Sequence, residues 1–403
     1  MLYVETRPVD VASLPTSGFY FSSPASAGAK LVLAGAGEAW SYHGSPSLGK
    51  VGAAWYLVSS NAAINDPLNR RGTGLIAFAS VGFAPDTQPV LTVPRFVFGT
   101  DSRAAWLTVA YQAAAPDSAL AAELTAEALA WRDTPVPDTP LRVKPLEDTG
   151  QIAFEANVAA AIAAIDAGRC EKIVMARHVT YDLSKPLPPA QAAATLARKL
   201  EQKYPSCWIF SVGNLVGATP EMLLEAQDCT AHARVLAGTA SPGEDIDLLH
   251  SAKNLHEHQV ALTSVTAPLE ALTTVKTSEP YVLELPNLKH LASDVWLPVP
   301  PGKTLLYLLD AIHPTAAVCG LPREAAAEFI GRHEPSRGRY AGPVGWVDAH
   351  AGGQLALALR LGEVSRDTIS LWAGAGIMSD SDPHTEFLET EAKLAAVRSC
   401  LEF

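Results

Sequence analysis

LIAFASVGF at residues 75–83 and VLTVPRFVF at residues 90–98 decide the fold class. Each is a short apolar run bounded by Gly, Ser or Pro, the composition of a β-strand. The pattern extends toward the N-terminus through Phe19-Tyr20-Phe21, Lys30 to Ala34 and Ala53 to Ser59, and onward through Ala104 to Ala114. A stretch rich in proline follows, with Pro135, Pro137, Pro140 and Pro145, and has the composition of a connector. From Gly150 the texture changes. Gln151 to Ile165 has helical spacing, Lys172 to Val179 reads as a strand and Pro189 to Gln202 as a helix. Cys207 to Val212 and Glu221 to Ala226 read as strands, and Asp245 to Leu272 as a long helix. Arg323 to Arg332 is a further helix, Gln354 to Leu361 and Thr368 to Ala373 are strands, and His384 to Cys400 closes the chain as a helix. Strands come first and then mix with helices without a βαβ rhythm. That predicts an α+β fold, an α/β sandwich of mainly antiparallel sheets, rather than a doubly wound one.

The chain has 403 residues, 48% of them hydrophobic, enough for a large core. Its net charge is -12 and no Lys/Arg cluster tracks a phosphate backbone, so nucleic acid is not expected as a partner. Met1 to Pro15 has neither a basic start nor an apolar run, so no signal peptide is expected. The apolar stretch Asn157 to Ile165 is too short to span a bilayer, so no membrane partner is expected. Cys170, Cys207, Cys229, Cys319 and Cys400 are odd in number and widely spaced, which suits a reducing cytoplasm. Ala373-Gly374-Ala375-Gly376 does not match the dinucleotide-binding fingerprint.

Several residues invite a chemical reading beside a plain one. Glu386, Glu389 and Lys393 lie at i, i+3 and i+7 of the last helix and share a face. Glu257 lies on the long helix between His256 and His258. Carboxylates from two helices would suit a hard cation such as Mg²⁺; the plain alternative is a solvated acidic face with Glu389 and Lys393 as an i,i+4 pair. His256, His258 and His290 lack the spacing of zinc ligands. Lys172 heads an apolar strand, either as a snorkelling surface residue or as a buried amine of lowered pKa. Glu221 follows the turn residues Gly217-Ala218-Thr219-Pro220, either as an exposed edge residue or as a buried acid of raised pKa. Leu236-Ala237-Gly238-Thr239 and the Gly374 and Gly376 pair offer bare N–H groups to a carboxylate, or are tight turns. His313-Pro314-Thr315 and Tyr340-Ala341-Gly342, read singly, are ordinary loops.

Taken together, these segments are far more specific. KIVMAR (172–177), VGATPEMLLE (216–225), LAGTASPG (236–243), SAKNLHEHQVAL (251–262), KHLAS (289–293), HPTAAVCGLPREAA (313–326), EPSRGRYAGPVGW (334–346), LALALR (355–360), LWAGAGI (371–377) and EFLETEAKL (386–394) resemble, in order and spacing, the chorismate-utilising enzymes. That family includes isochorismate, salicylate, anthranilate and aminodeoxychorismate synthases. The motifs cover nearly all of residues 150–397; FYFSSP (19–24) and VLTVPRF (90–96) resemble the isochorismate branch more weakly.

The resemblance implies a single unit of two stacked sheets flanked by helices over residues 1–403. Within it, 1–133 is the β-rich part, 134–149 an internal connector and 150–403 the catalytic core. It implies chorismate as substrate and Mg²⁺ as cofactor. Lys172 occupies the position of the base that activates water for attack at C2, and Glu221 that of the acid at the departing C4 hydroxyl. Glu257 and Glu389 match the metal ligands, with Glu386 a further acid acting through water. Tyr340, Arg360, Lys393 and the N–H groups of Gly374 and Gly376 match carboxylate-binding positions; Gly238 and Thr239 line the ring side, with His290 close by. One departure is Asn254, where the family usually carries an acid; it could hold a metal-bound water. Ala317 stands where amine-using and salicylate-forming members carry Thr, and Lys172 argues for water as the nucleophile. The expectation is therefore reversible isochorismate formation, as an isomerase feeding siderophore or menaquinone biosynthesis, by a monomer with no glutaminase subunit. Salicylate formation and a non-catalytic chorismate-binding protein are the alternatives.

Overall fold

The computed structural model describes residues 1–11, 14–24, 30–240, 248–285 and 288–403; for residues 238–240, 253, 284, 285 and 288 it describes the backbone alone. Among the described residues the helices are α1 (Leu48–Ser60), α2 (Ser118–Arg132), α3 (Gln151–Asp166), α4 (Pro189–Lys203), α5 (Ala252–Glu270), α6 (Leu305–Ile312), α7 (Arg323–His333) and α8 (Pro383–Arg398). The described strands form two sheets.

The larger sheet, of thirteen strands, runs in the spatial order Val143–Asp148, Lys172–Leu183, Thr368–Ile377, Leu361–Val364, Leu215–Thr219, Trp208–Val212, Phe19–Ser22, Val32–Ala36, Phe96–Thr100, Ala105–Gln112, Leu2–Pro8 and Ala63–Asn65. Gly320–Leu321 pairs additionally with the start of Lys172–Leu183. The second sheet, of ten strands, runs Lys276–Thr277, Leu288–Pro298, Thr230–Ala240, Met222–Gln227, Gly353–Leu357, Pro343–Asp348, Ile76–Ser80, Val90–Val93 and Trp40–Ser41, with Tyr281–Leu285 also on Leu288–Pro298. Among the described strands only Leu2–Pro8 and Ala63–Asn65 pair in parallel. The expected α+β architecture of mainly antiparallel sheets is what forms.

The inner faces pack on each other. Ile173, Met175, Phe210 and Val212 of the larger sheet share one buried cluster with Phe78, Leu91, Val235 and Leu355 of the second. The outer face of the larger sheet is covered by α4 and α8 over Leu196, Ile209, Leu371 and Leu394, and by α2 over Phe98, Leu107 and Leu124. α5 lies against Thr230–Ala240 and Leu288–Pro298.

Several local readings are corrected. Ala53 to Ser59 belongs to α1, where Leu48, Val51, Gly52, Trp55 and Ser59 are the buried positions. That spacing is helical, and a window starting at Ala53 conceals it. Val90 to Phe98 is two strands, one in each sheet, because Pro94 lacks the N–H that a continuous ladder needs. Gln354 to Leu361 likewise divides between Gly353–Leu357 of the second sheet and Leu361–Val364 of the larger, around Arg360 at φ 48°. The proline-rich stretch ends in the strand Val143–Asp148, placed at the sheet edge where proline is tolerated. Gly217 to Thr219 lie in the strand Leu215–Thr219, and Leu236 to Thr239 and Gly374 to Gly376 are strand rather than turn. The long helix begins at Ala252; residues 245–247 of its expected span lie outside the described residues.

Candidate active site

Lys172 opens the strand Lys172–Leu183, whose Ile173, Val174, Val179 and Thr180 favour extended backbone. On one side this strand pairs with Thr368–Ile377, placing Val174 opposite Gly376 and Ala176 opposite Gly374. The half-buried Lys172 side chain lies over Gly376: a Cβ added there would stand 2.9 Å from Lys172 Cε and 3.4 Å from Nζ. Glycine at 376 is thus what leaves room for the amine.

The Val174 N–H donates to Cys319 O at 2.9 Å, on the side away from Thr368–Ile377. Gly376 and Gly374 are therefore non-hydrogen-bonded partners, and their N–H groups point away from the Lys172 strand. On that far side Leu361–Val364 reaches only to Leu371. Beyond it the two N–H groups face no described strand, the open amide geometry that suits a carboxylate. Arg360 stands just before Leu361–Val364, and its charge acts on both Glu221 and Tyr340. Among the described residues the half-buried Arg360 guanidinium has no hydrogen-bonded or ion-paired side-chain partner. Tyr340 is buried, stacks on Trp372 with centroids 5.5 Å apart, and its hydroxyl lies 3.2 Å from where a Gly374 Cβ would sit. Lys393 Nζ donates to Gly374 O at 2.8 Å.

Glu221 precedes the strand Met222–Gln227, its position fixed by Pro220 and by Leu357 N–H donating to its carbonyl at 3.0 Å. Burial pushes its carboxyl above the ordinary range, against the opposing charges of Lys172, Lys393 and Arg360. Burial lowers the Lys172 amine, helped by Lys393 and opposed by Glu221, Glu257 and Glu389. Each is the largest counter-charge on the other, and in both cases desolvation outweighs it, so both groups are driven toward their neutral forms.

Between them lies a cavity of about 460 Å³, lined by Lys172, Glu221, Glu257, Ala317 and Gly376 together with Met222, Val235, Leu236, Val260, Ala261, Ser264 and Val265. Five of the expected site residues thus line one space, with Gly374, Tyr340, Lys393 and Arg360 clustered at the glycine strand beside it. His290 sits opposite Thr239 on Leu288–Pro298, where burial lowers its ring pKa. Gly238 falls at a bulge between Ala237 and Thr239; the Thr239 side chain lies outside the described residues. Sequence reading missed the α5 wall, although Glu257, Val260, Ala261, Ser264 and Val265 fall at i, i+3, i+4, i+7 and i+8. It also missed Trp372, which sits two residues before Gly374 on the same face.

The acids divide. Glu257 is half-buried on α5, and its charge reaches Lys172. Glu389 is exposed and accepts from Lys393 Nζ at 2.6 Å, the plain i,i+4 pair. Glu386 accepts from Ser381 Oγ at 2.7 Å, and burial, then the charge of Glu389, raises its carboxyl. Among the described residues no three His, Cys, Asp or Glu side chains converge as a cage. Mg²⁺ needs none: it takes one or two carboxylates and keeps its remaining positions for water and substrate oxygens. Glu257 and Glu389, from two helices and both acting on the Lys172 amine, fit that donor chemistry. Asn254 Nδ2 donates to the Ser251 hydroxyl at 2.9 Å at the start of α5.

The model of the family described as chorismate binding enzyme matches residues 10–402. A salicylate biosynthesis isochorismate synthase from Pseudomonas aeruginosa is 34% identical over 261 residues, covering 62% of this chain and 54% of that protein. Isochorismate synthase MenF from Bacillus subtilis is 31% identical over 246 residues, covering 57% and 51%. The match spans about half the length of these two curated relatives. The solved structure of the menaquinone-specific isochorismate synthase MenF from Escherichia coli superposes with a TM-score of 0.80 at 24% identity, over 100% of this chain and 95% of that one. Anthranilate synthase component I from Streptococcus pneumoniae gives 0.70 at 21% identity, over 98% and 92%. At these identities the two structures establish a common fold.

Proposed function

Since the chain belongs to the chorismate-binding enzyme family, we propose that it is an isochorismate synthase, an isomerase that interconverts chorismate and isochorismate. The observation that carries this reading is the pair Lys172 and Glu221, lining one cavity and both driven toward neutrality by burial. A neutral amine can accept a proton and a neutral carboxyl can donate one. Lys172 Nζ takes a proton from water as its oxygen bonds to C2 of chorismate. The ring double bonds shift, and Glu221 protonates the hydroxyl leaving C4 as water. One water enters and one leaves, so the composition is unchanged. Such positioned proton transfers contribute about 10²–10⁴-fold each. Turnover leaves an ammonium at Lys172 and a carboxylate at Glu221, the state required by the reverse reaction, so the pair must exchange protons before a second forward cycle.

Arg360, with its planar fork unpaired, and the N–H groups of Gly374 and Gly376 would take the substrate carboxylates. Tyr340 and Lys393 close that end, and Gly238, Thr239 and His290 the ring side. Mg²⁺ would be held by Glu257 and Glu389, with Glu386 through water, and when bound would neutralise carboxylate charge. Ala317 leaves no hydroxyl to hold an amine nucleophile or a ring poised for pyruvate loss. The protein is proposed to act as a cytoplasmic monomer, without nucleic acid, membrane or glutaminase subunit, and to supply siderophore or menaquinone synthesis. Among the described residues no helix is long and apolar enough to cross a membrane.

Incubation with chorismate and Mg²⁺ near neutral pH, followed by chromatography, tests the reading. Isochorismate should accumulate alongside residual chorismate. Stoichiometric pyruvate with salicylate would place the chain among the lyases, and an amino product from added ammonium among the amine-using synthases. Unchanged chorismate would leave it a binding protein.

A further inference from the structure

The strand that carries Lys172 has a gap along one edge. Val174, Ala176 and His178 direct backbone groups away from Thr368–Ile377. Gly320–Leu321 covers that edge only as far as Ile173, and Val143–Asp148 takes it up again at Val179. Thr149 serves His178, its N–H donating to His178 O at 3.1 Å and its hydroxyl accepting from His178 N–H at 3.3 Å.

Two side chains fill the remainder of the gap. Glu334 Oε1 accepts from the Ala176 N–H, and Arg337 Nη2 donates to Val174 O at 2.6 Å. Arg337 Nη1 donates to Val318 O at 2.9 Å, in the loop that carries Ala317. The two are joined to each other, Arg337 Nε to Glu334 Oε2 at 2.7 Å and Nη2 to Oε1 at 3.0 Å, and each side chain is 1% exposed. The Phe83 ring lies 4.4 Å below the guanidinium, and Phe83 N–H donates to Gly338 O at 3.0 Å.

A buried ion pair is in itself a weak source of stability. What this one supplies is geometry. A guanidinium is a rigid planar fork of donors, and here it reads four acceptor atoms, two on Glu334 and the carbonyls of Val174 and Val318, at fixed directions. We infer that Glu334 and Arg337 are positioning residues that stand in for a missing strand neighbour, holding the Lys172 strand and the adjoining Ala317 loop in one fixed relation at the wall of the cavity. Lys172 lies two residues from Val174, and Ala317 one residue from Val318. A slip at either acceptor therefore moves the amine relative to the substrate. The inference rests on the reading of Lys172 as the base.

The test is the double variant Glu334→Gln/Arg337→Met, which leaves no lone buried charge behind. Its kcat for chorismate should fall roughly 10²-fold, the loss that follows a misplacement of about 1 Å. KM should change less than kcat, because the bridge holds the Lys172 strand directly and reaches Gly374 and Gly376 only through that strand. Hydrogen exchange at Val174–His178 should quicken by about tenfold while α4 and the outer sheet keep their protection. Arg337→Lys, which retains a counter-charge for Glu334 and one donor, should recover part of the lost kcat. A folded double variant with wild-type kcat overturns the inference. So does a loss confined to KM, or an exchange increase spread evenly over the chain. If the double variant does not fold, Arg337→Lys decides: a kcat reduced by more than KM is raised supports the role and unchanged kcat overturns it. A wild-type protein that leaves chorismate intact defeats the functional reading instead, and does so before any variant is made.

Discussion

Gly376→Ala should slow the enzyme without weakening the fold. The added methyl would stand 2.9 Å from Lys172 Cε. Ordinary carbon contacts lie at about 3.5–4.0 Å, so the two must separate by about 1 Å. The strand is tied on one side to Lys172–Leu183, whereas Lys172 is the far end of a flexible chain, so the amine moves. Gly376 is not among the residues with left-handed backbone, and alanine fits its conformation. Loss of unfolded-state freedom then favours the variant by about 0.4–1 kcal/mol. A 1 Å displacement of the base costs on the order of 10² in rate, about 2.7 kcal/mol in the barrier. Initial rates of isochorismate formation at saturating chorismate and Mg²⁺, with a thermal melt on the same sample, measure both quantities. Low kcat with Tm held or raised is the expected result. Gly374→Ala is the contrast: its Cβ would meet Met175 O at 2.9 Å, backbone that cannot retreat, so Tm should drop. A Gly376→Ala protein with unaltered kcat would refute the placement of Lys172 over that glycine.

Lys172→Ala and Glu221→Ala should each lower turnover by roughly 10²–10⁴-fold or more with the near-UV circular dichroism intact; near-normal activity in either sinks the assignment of base and acid. Chelation should stop the reaction, and Glu257→Gln should raise the Mg²⁺ concentration needed for half-maximal rate; full activity in excess EDTA would remove the metal. Glu221 also links stability to pH. Its folded pKa lies above its unfolded one, so its contribution is complete below the ordinary carboxylate pKa, about 4.3, and is lost as pH rises through the raised value. Glu221→Gln should therefore gain stability relative to wild type as pH climbs from 4 to 8, measured by urea midpoints; a constant difference would mean that the carboxyl is not held protonated.

The residues of the site were more legible than the elements that carry them. The motifs around Lys172, Glu221, Glu257 and Gly376 could be read in sequence, and these residues converge on one cavity. What could not be read were the corners. Pro94 and Arg360 each end a run that looks continuous, because the apolar residues on either side serve different sheets and no local period records the change. α2 and α6 went unread for related reasons. The alanine-rich surface of α2 carries a faint stripe, and α6, Leu305–Ile312, is an apolar run of only eight residues, a length that does not separate a helix from a buried strand. The Glu334 and Arg337 bridge is invisible to any window, since its partners lie 158 and 163 residues away along the chain.

The strand order has a consequence for how the protein is made. Lys172–Leu183 pairs with Thr368–Ile377, and Phe19–Ser22 with Trp208–Val212. A chain emerging from the ribosome therefore holds the Lys172 strand without its main partner while nearly two hundred further residues are synthesised. Until then its apolar edge is open to other chains, the exposure that draws chaperones to slow, non-local β-topologies. The glycines over which Lys172 lies arrive late, and Glu389 and Lys393 of α8 later still, so a ribosome stalled before residue 368 presents a half-built sheet without the far wall of the site.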